Sequence, residues 1–273
     1  SPSPTIDMMA GSGAMLYNHY AQSDWTQTSM ASLLYGRLPA TTSTQPTYSF
    51  LPESEEDNFW LLGIKDARLE RRVHKPAFQT NPVLTQNPFV SICDVFFNFT
   101  KGPDSSDADE CEANGGKSVN FRAPYVMNEV LRHLDTQRRT ISEDNLLVYI
   151  HLMDTHQPYD PAGEISRLFT GGQEKLVGPM EFEHLVEHAM RKEWTDDDAA
   201  LLELCRTLYD AAVMQTDIAV KNLLDGLSDR GLLEDSLVIF TGDHGQSLGE
   251  RGVVGHCQTL YPEEIRVPLI MYG

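Results

Sequence analysis

Asp243 and His244 stand side by side between Gly242 and Gly245, directly after the apolar run Leu237-Val238-Ile239-Phe240. A carboxylate and an imidazole in adjacent positions can place two donors on one divalent cation. Glycines on either side would let the backbone turn sharply there. His256 follows further along, again behind a glycine. Taken alone, the pair reads more readily as a strand running into a polar loop with incidental histidines. The pattern recurs, however. Asp154-Thr155-His156-Gln157-Pro158-Tyr159-Asp160 also follows an apolar run, residues 146–153. A third polar group, Ser23-Asp24-Trp25-Thr26 with Ser29 beyond it, crowds hydroxyls ahead of an apolar segment. A helix starting there would expose backbone N–H groups and a positive dipole that suit an anion. Plain N-capping accounts for the same residues on local grounds.

Such groups work only if strands and helices bring them together. Residues 146–153 are continuously apolar, as in a parallel strand covered on both faces. Residues 237–240 are long enough for a buried strand and too short for a core helix. Two strands that both end in Asp/His loops fit the rule for open α/β sheets, where ligands bind outside the carboxyl ends of the strands. The two are expected in one sheet, with Asp154 and Asp243 at the same edge and His156 and His244 on one side. A short helix is predicted over 26–35, stopped by Gly36 with Pro39 beyond. Helical periodicity runs over 123–134. From 163 to 193 the chain reads as irregular, with one helix over 179–190. A long helix begins at Thr195, with Asp196, Asp197 and Asp198 in its first turn. Leu204, Leu208, Ala211, Met214 and Ile218 step by three or four along its expected buried face. It ends at Arg230-Gly231 and feeds the strand at Leu237. Helix then buried strand, twice over, predicts α/β architecture: a mainly parallel central sheet with helices on both faces. Residues 77–80 suggest another short strand, and 59–64 fit strand or helix equally. Residues 40–58 and 101–117 read as loops. Asn98-Phe99-Thr100 matches a glycosylation sequon, a triplet common by chance.

Composition narrows the partners. The chain has 273 residues, 41% of them hydrophobic, and a net charge of −19, so it can bury a sizeable core. That charge excludes nucleic acid and argues against docking on anionic lipid. An anionic substrate would need a local cationic centre to be held. Cys93, Cys111, Cys205 and Cys257 form no C-x-x-C pair, and Cys205 reads as a core residue. No apolar run is long enough to span a membrane, and no signal peptide is legible. The first residues lack an initiating Met, as in a mature form or a fragment.

The same residues resemble the sulfatase N-terminal domain of the alkaline phosphatase superfamily. Residues 26–37 are similar to that family's nucleophile segment, nucleophile-x-x-Ser-x-Ala-x-Leu-Leu-x-Gly-Arg. Residues 148–159 resemble its strand followed by Asp-x-His-x-Pro-Tyr. Residues 241–269 resemble Thr-x-Asp-His-Gly-x-x-Leu-Gly-Glu, then Gly-His, then Arg-Val-Pro-Leu. The resemblance implies an alkaline-phosphatase-like sandwich, one or two divalent metals (Mn, Zn or Ca) at the strand ends, and in-line displacement at a phosphorus or sulfur ester. It implies Asp243 and His244 as metal ligands and Thr26 as both nucleophile and ligand. It implies His156 and His256, with Asp154, as contacts to the substrate, the two imidazoles facing the ester oxyanion or protonating the leaving group. The substrate would be a small-molecule, glycan or lipid-head-group ester, met outside the cytoplasm in the periplasm or after secretion.

Three departures qualify this resemblance. The family's acidic first strand has no counterpart before Thr26, since Asp7 and Asp24 lie in a different context. Thr26 and Met30 replace the Cys/Ser-x-Pro-x-Arg context in which formylglycine is made, so none is expected. Gln79-Thr80-Asn81-Pro82 stands where the family has Gly-Lys-Trp-His. The sequence also reads as one sulfatase-like domain over 1–273 that lacks its first strand and its smaller C-terminal subdomain. Three functions follow: a phosphoester hydrolase or phosphotransferase with a threonine nucleophile, a sulfatase of unusual type, or a non-catalytic relative that binds.

Overall fold

The three aspartates after Thr195 begin the longest helix of the structure, a computed structural model that describes residues 1–36, 38–39, 73–74, 76–79, 95–98, 122–137 and 145–273. In chain order the elements are α1 (Pro4–Ser12), β1 (Ala14–Met15), α2 (Thr26–Tyr35), β2 (Val73–His74), β3 (Pro76–Gln79), β4 (Val95–Asn98), α3 (Ala123–Thr136), β5 (Asn145–Leu146), β6 (Tyr149–His151), α4 (Gly163–Phe169), α5 (Pro179–Arg191), α6 (Asp196–Asp229), β7 (Val238–Thr241), β8 (Ser247–Leu248), β9 (Val254–Gly255), α7 (Pro262–Ile265) and β10 (Leu269–Tyr272). Two compact units result: residues 1–29 with 154–273, and residues 30–153. The predicted 59–64 element, the sequon's Phe99-Thr100, the loops at 40–58 and 101–117, Cys93, Cys111, and Asn81-Pro82 lie outside the described residues.

In the first unit α6 is the spine. The Thr195 hydroxyl accepts from Asp198 N at 3.2 Å, and the Asp198 carboxylate accepts from Thr195 N at 2.8 Å. That reciprocal pair satisfies donors which a helix start otherwise leaves open. The buried face of α6 carries Leu202, Cys205, Leu208, Ala212, Ala219 and Leu223. It is rotated from the predicted stripe: Leu208 and Ala211 are buried, but Ile218 is 41% exposed. Polar side chains take part of that face, because Gln215 and Asp217 are buried there. Asp217 Oδ2 and Oδ1 accept from Thr5 N at 3.1 Å and Ile6 N at 2.8 Å, capping α1. Leu202, Cys205 and Leu208 pack with Tyr159, Phe182 and Leu185 in one core cluster. The Tyr159 ring meets Phe182 and Tyr209 edge-on, with centroids at 5.9 and 5.4 Å. Each fully buried side chain of this size contributes about 1.5–3 kcal/mol.

Among the described residues the two motif strands pair in separate ladders. β7 pairs antiparallel with β10, and β10 with β1, in the order β1-β10-β7. β6 pairs parallel with β3, itself parallel to β4, in the order β4-β3-β6 within the second unit. The cause lies after the second motif. The apolar segment at β10 returns close in sequence to β7, and a short return favours an antiparallel partner. The apolar run at 146–153 is also divided, since β5 pairs with β2 and β6 with β3. The segment 163–193 holds two helices, α4 and α5, where one was expected. Cys205 is buried as expected. Among the described residues no helix is long and apolar enough to cross a membrane.

Candidate active site

Five side chains from three loops and one helix start meet in the first unit. The β7 strand ends at Thr241, and Asp243 and His244 follow at once. A short antiparallel hairpin, β8 with β9, then returns the chain so that His256 stands next to them. The His244 and His256 rings stack with centroids at 4.6 Å, and His156 meets His256 edge-on at 4.9 Å. His156 and His244 therefore flank the same imidazole, as the sequence predicts. Thr26 opens α2 and is 4% exposed. Its Oγ1 lies 3.1 Å from His244 Nε2.

Local bonds set the protonation pattern. His244 Nδ1 is 2.8 Å from the Gly245 carbonyl, and His156 Nδ1 is 2.6 Å from the Gln157 carbonyl. A carbonyl only accepts, so both Nδ1 atoms carry the proton. His244 Nε2 is thus the lone-pair atom and accepts from the Thr26 hydroxyl. Burial holds His256 down to about 3, with His244 and His156 adding to the shift. His256 is thereby kept neutral near pH 7, and its Nδ1 is buried without a hydrogen-bond partner among the described residues.

The sequence carries no direct sign of what holds this loop. Glu264 is fully buried. Its Oε1 accepts from Ser247 Oγ at 2.8 Å and Thr259 Oγ1 at 2.7 Å. Its Oε2 accepts from Thr259 N at 3.1 Å and Gln258 N at 3.4 Å. It therefore pins both sides of His256. The carboxylate next to Ile265 in Tyr-Pro-Glu-Glu-Ile is the available hint. Gly245 also serves a different purpose from the expected turn. A Cβ on it would lie 2.2 Å from the Glu263 carbonyl oxygen, so glycine is required by close backbone approach. Gln246 Nε2 donates to Tyr159 Oη at 2.8 Å and to Gln157 Oε1, linking the two Asp/His loops.

The remaining candidates divide. Asp154 Oδ1 accepts from Gln215 Nε2 at 2.6 Å, which ties it to α6. Ser29 Oγ donates to the Asp243 carbonyl, so it braces the loop. Ser23 Oγ accepts from Trp25 N at 3.2 Å, in a local turn before α2. Asp24, set aside on sequence grounds, is half-buried. Burial raises its pKa, which Glu264 raises further and His244 lowers.

Asp243 Oδ2 lies 3.6 Å from His244 Nε2. Together with Thr26 Oγ1 the two offer carboxylate, imidazole and hydroxyl donors around one region, which suits a divalent cation. The donor set fits such an ion, with Asp243, His244 and Thr26 as the residues to hold it.

The sulfatase family model matches residues 1–273. The chain is 24% identical over 326 aligned positions to iduronate 2-sulfatase of Mus musculus, covering 99% of this chain and 55% of that protein. A solved structure described as bound to its substrate D-glucosamine-2-N,6-O-disulfate superimposes with a TM-score of 0.70 at 14% identity, over 99% of this chain and 66% of the other. Phosphonate monoester hydrolase of Agrobacterium radiobacter gives a TM-score of 0.66 at 16% identity, over 98% and 62%. These likenesses show an α/β fold of the alkaline phosphatase type, and the chain spans about half the length of the curated relative named here. The chain belongs to the sulfatase family.

Proposed function

We propose that this chain carries the reacting face of an ester hydrolase or transferase that acts on phosphate- or sulfate-type esters, with Thr26 as nucleophile. The observation that carries the reading is the Thr26 Oγ1–His244 Nε2 contact of 3.1 Å, with His244 Nδ1 turned to a carbonyl. A threonine hydroxyl is a poor nucleophile unless a base or a metal activates it. A divalent cation held by Asp243, His244 and Thr26 would lower the pKa of the hydroxyl and polarise the ester oxygens. The start of α2 adds a positive dipole at the attacking oxygen. His256 would donate its N–H to the oxyanion or the departing oxygen, and His156 would do so from Nε2 once that atom is protonated, since its Nδ1–H is held by the Gln157 carbonyl. Neutral His256 serves as a donor without first needing to lose charge to a buried site.

Thr26-Gln-Thr-Ser-Met lacks the formylglycine context, which favours phosphoryl over sulfuryl transfer. Likeness to a relative named as an iduronate 2-sulfatase favours a sulfate ester as the second reading. An extracytoplasmic location goes with either and is checked by cell fractionation. The test is a full-length protein assayed on matched p-nitrophenyl phosphate, bis-p-nitrophenyl phosphate and p-nitrophenyl sulfate. Thr26→Ala is expected to abolish turnover with the fold intact, and Thr26→Ser to keep a measurable fraction. Near wild-type turnover in Thr26→Ala overturns the nucleophile.

A further inference from the structure

A second group of titratable side chains lies apart from the residues above, at the junction of α5 and α6. His184 and His188 stand one helical turn apart on α5, and Asp198 sits in the first turn of α6. One donor atom from each lies within 4.8 Å of the others. The two imidazoles face each other with centroids 3.9 Å apart. Histidines at i and i+4 share one helix face, which lets both reach one ion.

Asp198 gives the pair a direction. Its Oδ2 takes Thr195 N at 2.8 Å, Thr195 Oγ1 at 2.6 Å and His188 Nδ1 at 2.9 Å. The carboxylate is therefore already fixed by the α6 cap. It holds the His188 ring by Nδ1 and leaves Nε2 as the ligating atom. A carboxylate that takes the far N–H of a ligating imidazole is the usual support of a metal-bound histidine. We infer that His184 and His188 bind a borderline divalent cation of the Zn²⁺, Cu²⁺ or Ni²⁺ class, with Asp198 as the orienting carboxylate. Two imidazoles select that class over Mg²⁺ and Ca²⁺, which take oxygen donors. His184 is exposed and His188 half-buried, so water completes the coordination and the site exchanges with bulk solvent.

The site would act as a staple. The ion would clip one turn of α5, and the His188–Asp198 bond would tie that turn to the start of α6. Phe182 and Val186 of α5 line a groove of about 390 Å³ with Gln157 and Pro158, next in sequence to His156. An ion at His184 and His188 would thus stiffen one wall of that groove.

The test is calorimetric titration of chelator-treated full chain with Zn²⁺, beside His184→Gln and the double variant His184→Gln/His188→Gln. Zinc bound at Asp243 and His244 is common to all three and cancels. The expected result is that one zinc equivalent present in the wild-type chain is lost in both variants. Zn²⁺ should also raise the melting temperature of wild type more than that of His184→Gln, while Ca²⁺ should not distinguish them. Asp198→Asn should weaken that equivalent by about 10- to 100-fold. His184 is exposed, so His184→Gln should fold whatever the double variant does. Equal zinc stoichiometry and affinity in wild type and His184→Gln overturns the inference.

Discussion

Replacing Glu264 separates a bonding role from a charge role, because its two oxygens serve different donors. Oε1 takes two hydroxyls, Ser247 and Thr259, which can rotate. Oε2 takes two backbone N–H groups, Thr259 and Gln258, which cannot. In Glu264→Gln the amide oxygen can keep both backbone bonds while the NH₂ donates to the two hydroxyl oxygens. Only the charge assistance is lost, about 1 kcal/mol. Glu264→Ala instead strands both N–H groups, at about 1–3 kcal/mol each, and opens a void, for a total of at least about 3 kcal/mol. At about 2–4 °C per kcal/mol for a domain of this size, the alanine variant should melt at least about 6 °C below wild type. The glutamine variant should fall by about 2–4 °C. Differential scanning calorimetry reads both. Turnover in the full-length enzyme should fall about 100-fold in the alanine variant, because His256 loses its fixed place. If alanine melts within about 2 °C of wild type, or glutamine falls as far as alanine, the pinning argument fails.

Two further expectations rest on single groups. The hydrogen bond to His188, then that to Thr195, lowers the Asp198 carboxyl to about 2. A folded-state pKa below the unfolded one adds stability that is complete above about pH 4 and is lost as pH falls toward 2. The melting-temperature gap between wild type and Asp198→Asn should therefore close across that window in thermal melts. Cys257 is exposed, yet burial of its sulfur, with Asp24 and Glu264 nearby, pushes its thiol up to about 11. Iodoacetamide labelling read by peptide mass spectrometry should stay slow at pH 8 and rise only near pH 10–11; fast labelling at pH 8 would refute it.

The parts of the site that were legible follow local rules. The strand ending at Thr241, the Thr26 helix start and the Thr195 cap each obey a short-range pattern that a few residues suffice to state. The rest depends on long-range return of the chain. Nothing within 243–256 says that a hairpin will lay His256 against His244, since the ladder joins Ser247 to Gly255 across polar, glycine-rich sequence. Glu264 is one of two adjacent carboxylates after Pro262, and only burial against Ser247 and Thr259 separates it from Glu263. The antiparallel partner of β7 was missed for a related reason. Apolar runs signal burial on both faces but carry no strand direction. The stripe on α6 was misjudged because buried Gln215 and Asp217 do not register as core in an apolar pattern.

The charge balance of the molecule constrains how the proposed chemistry can begin. A net charge of −19 repels an anionic ester at long range, but salt limits that field to about 8–10 Å. Inside that distance the ester meets three imidazoles, a helix start and the cation that Asp243, His244 and Thr26 would hold. Of these, His256 is kept uncharged by burial and by its two neighbours, so it does not attract the anion before contact. His256 would therefore meet the bound ester as a neutral ring that donates its N–H to the departing oxygen, and the attraction that it does not supply would fall to the cation and to the start of α2.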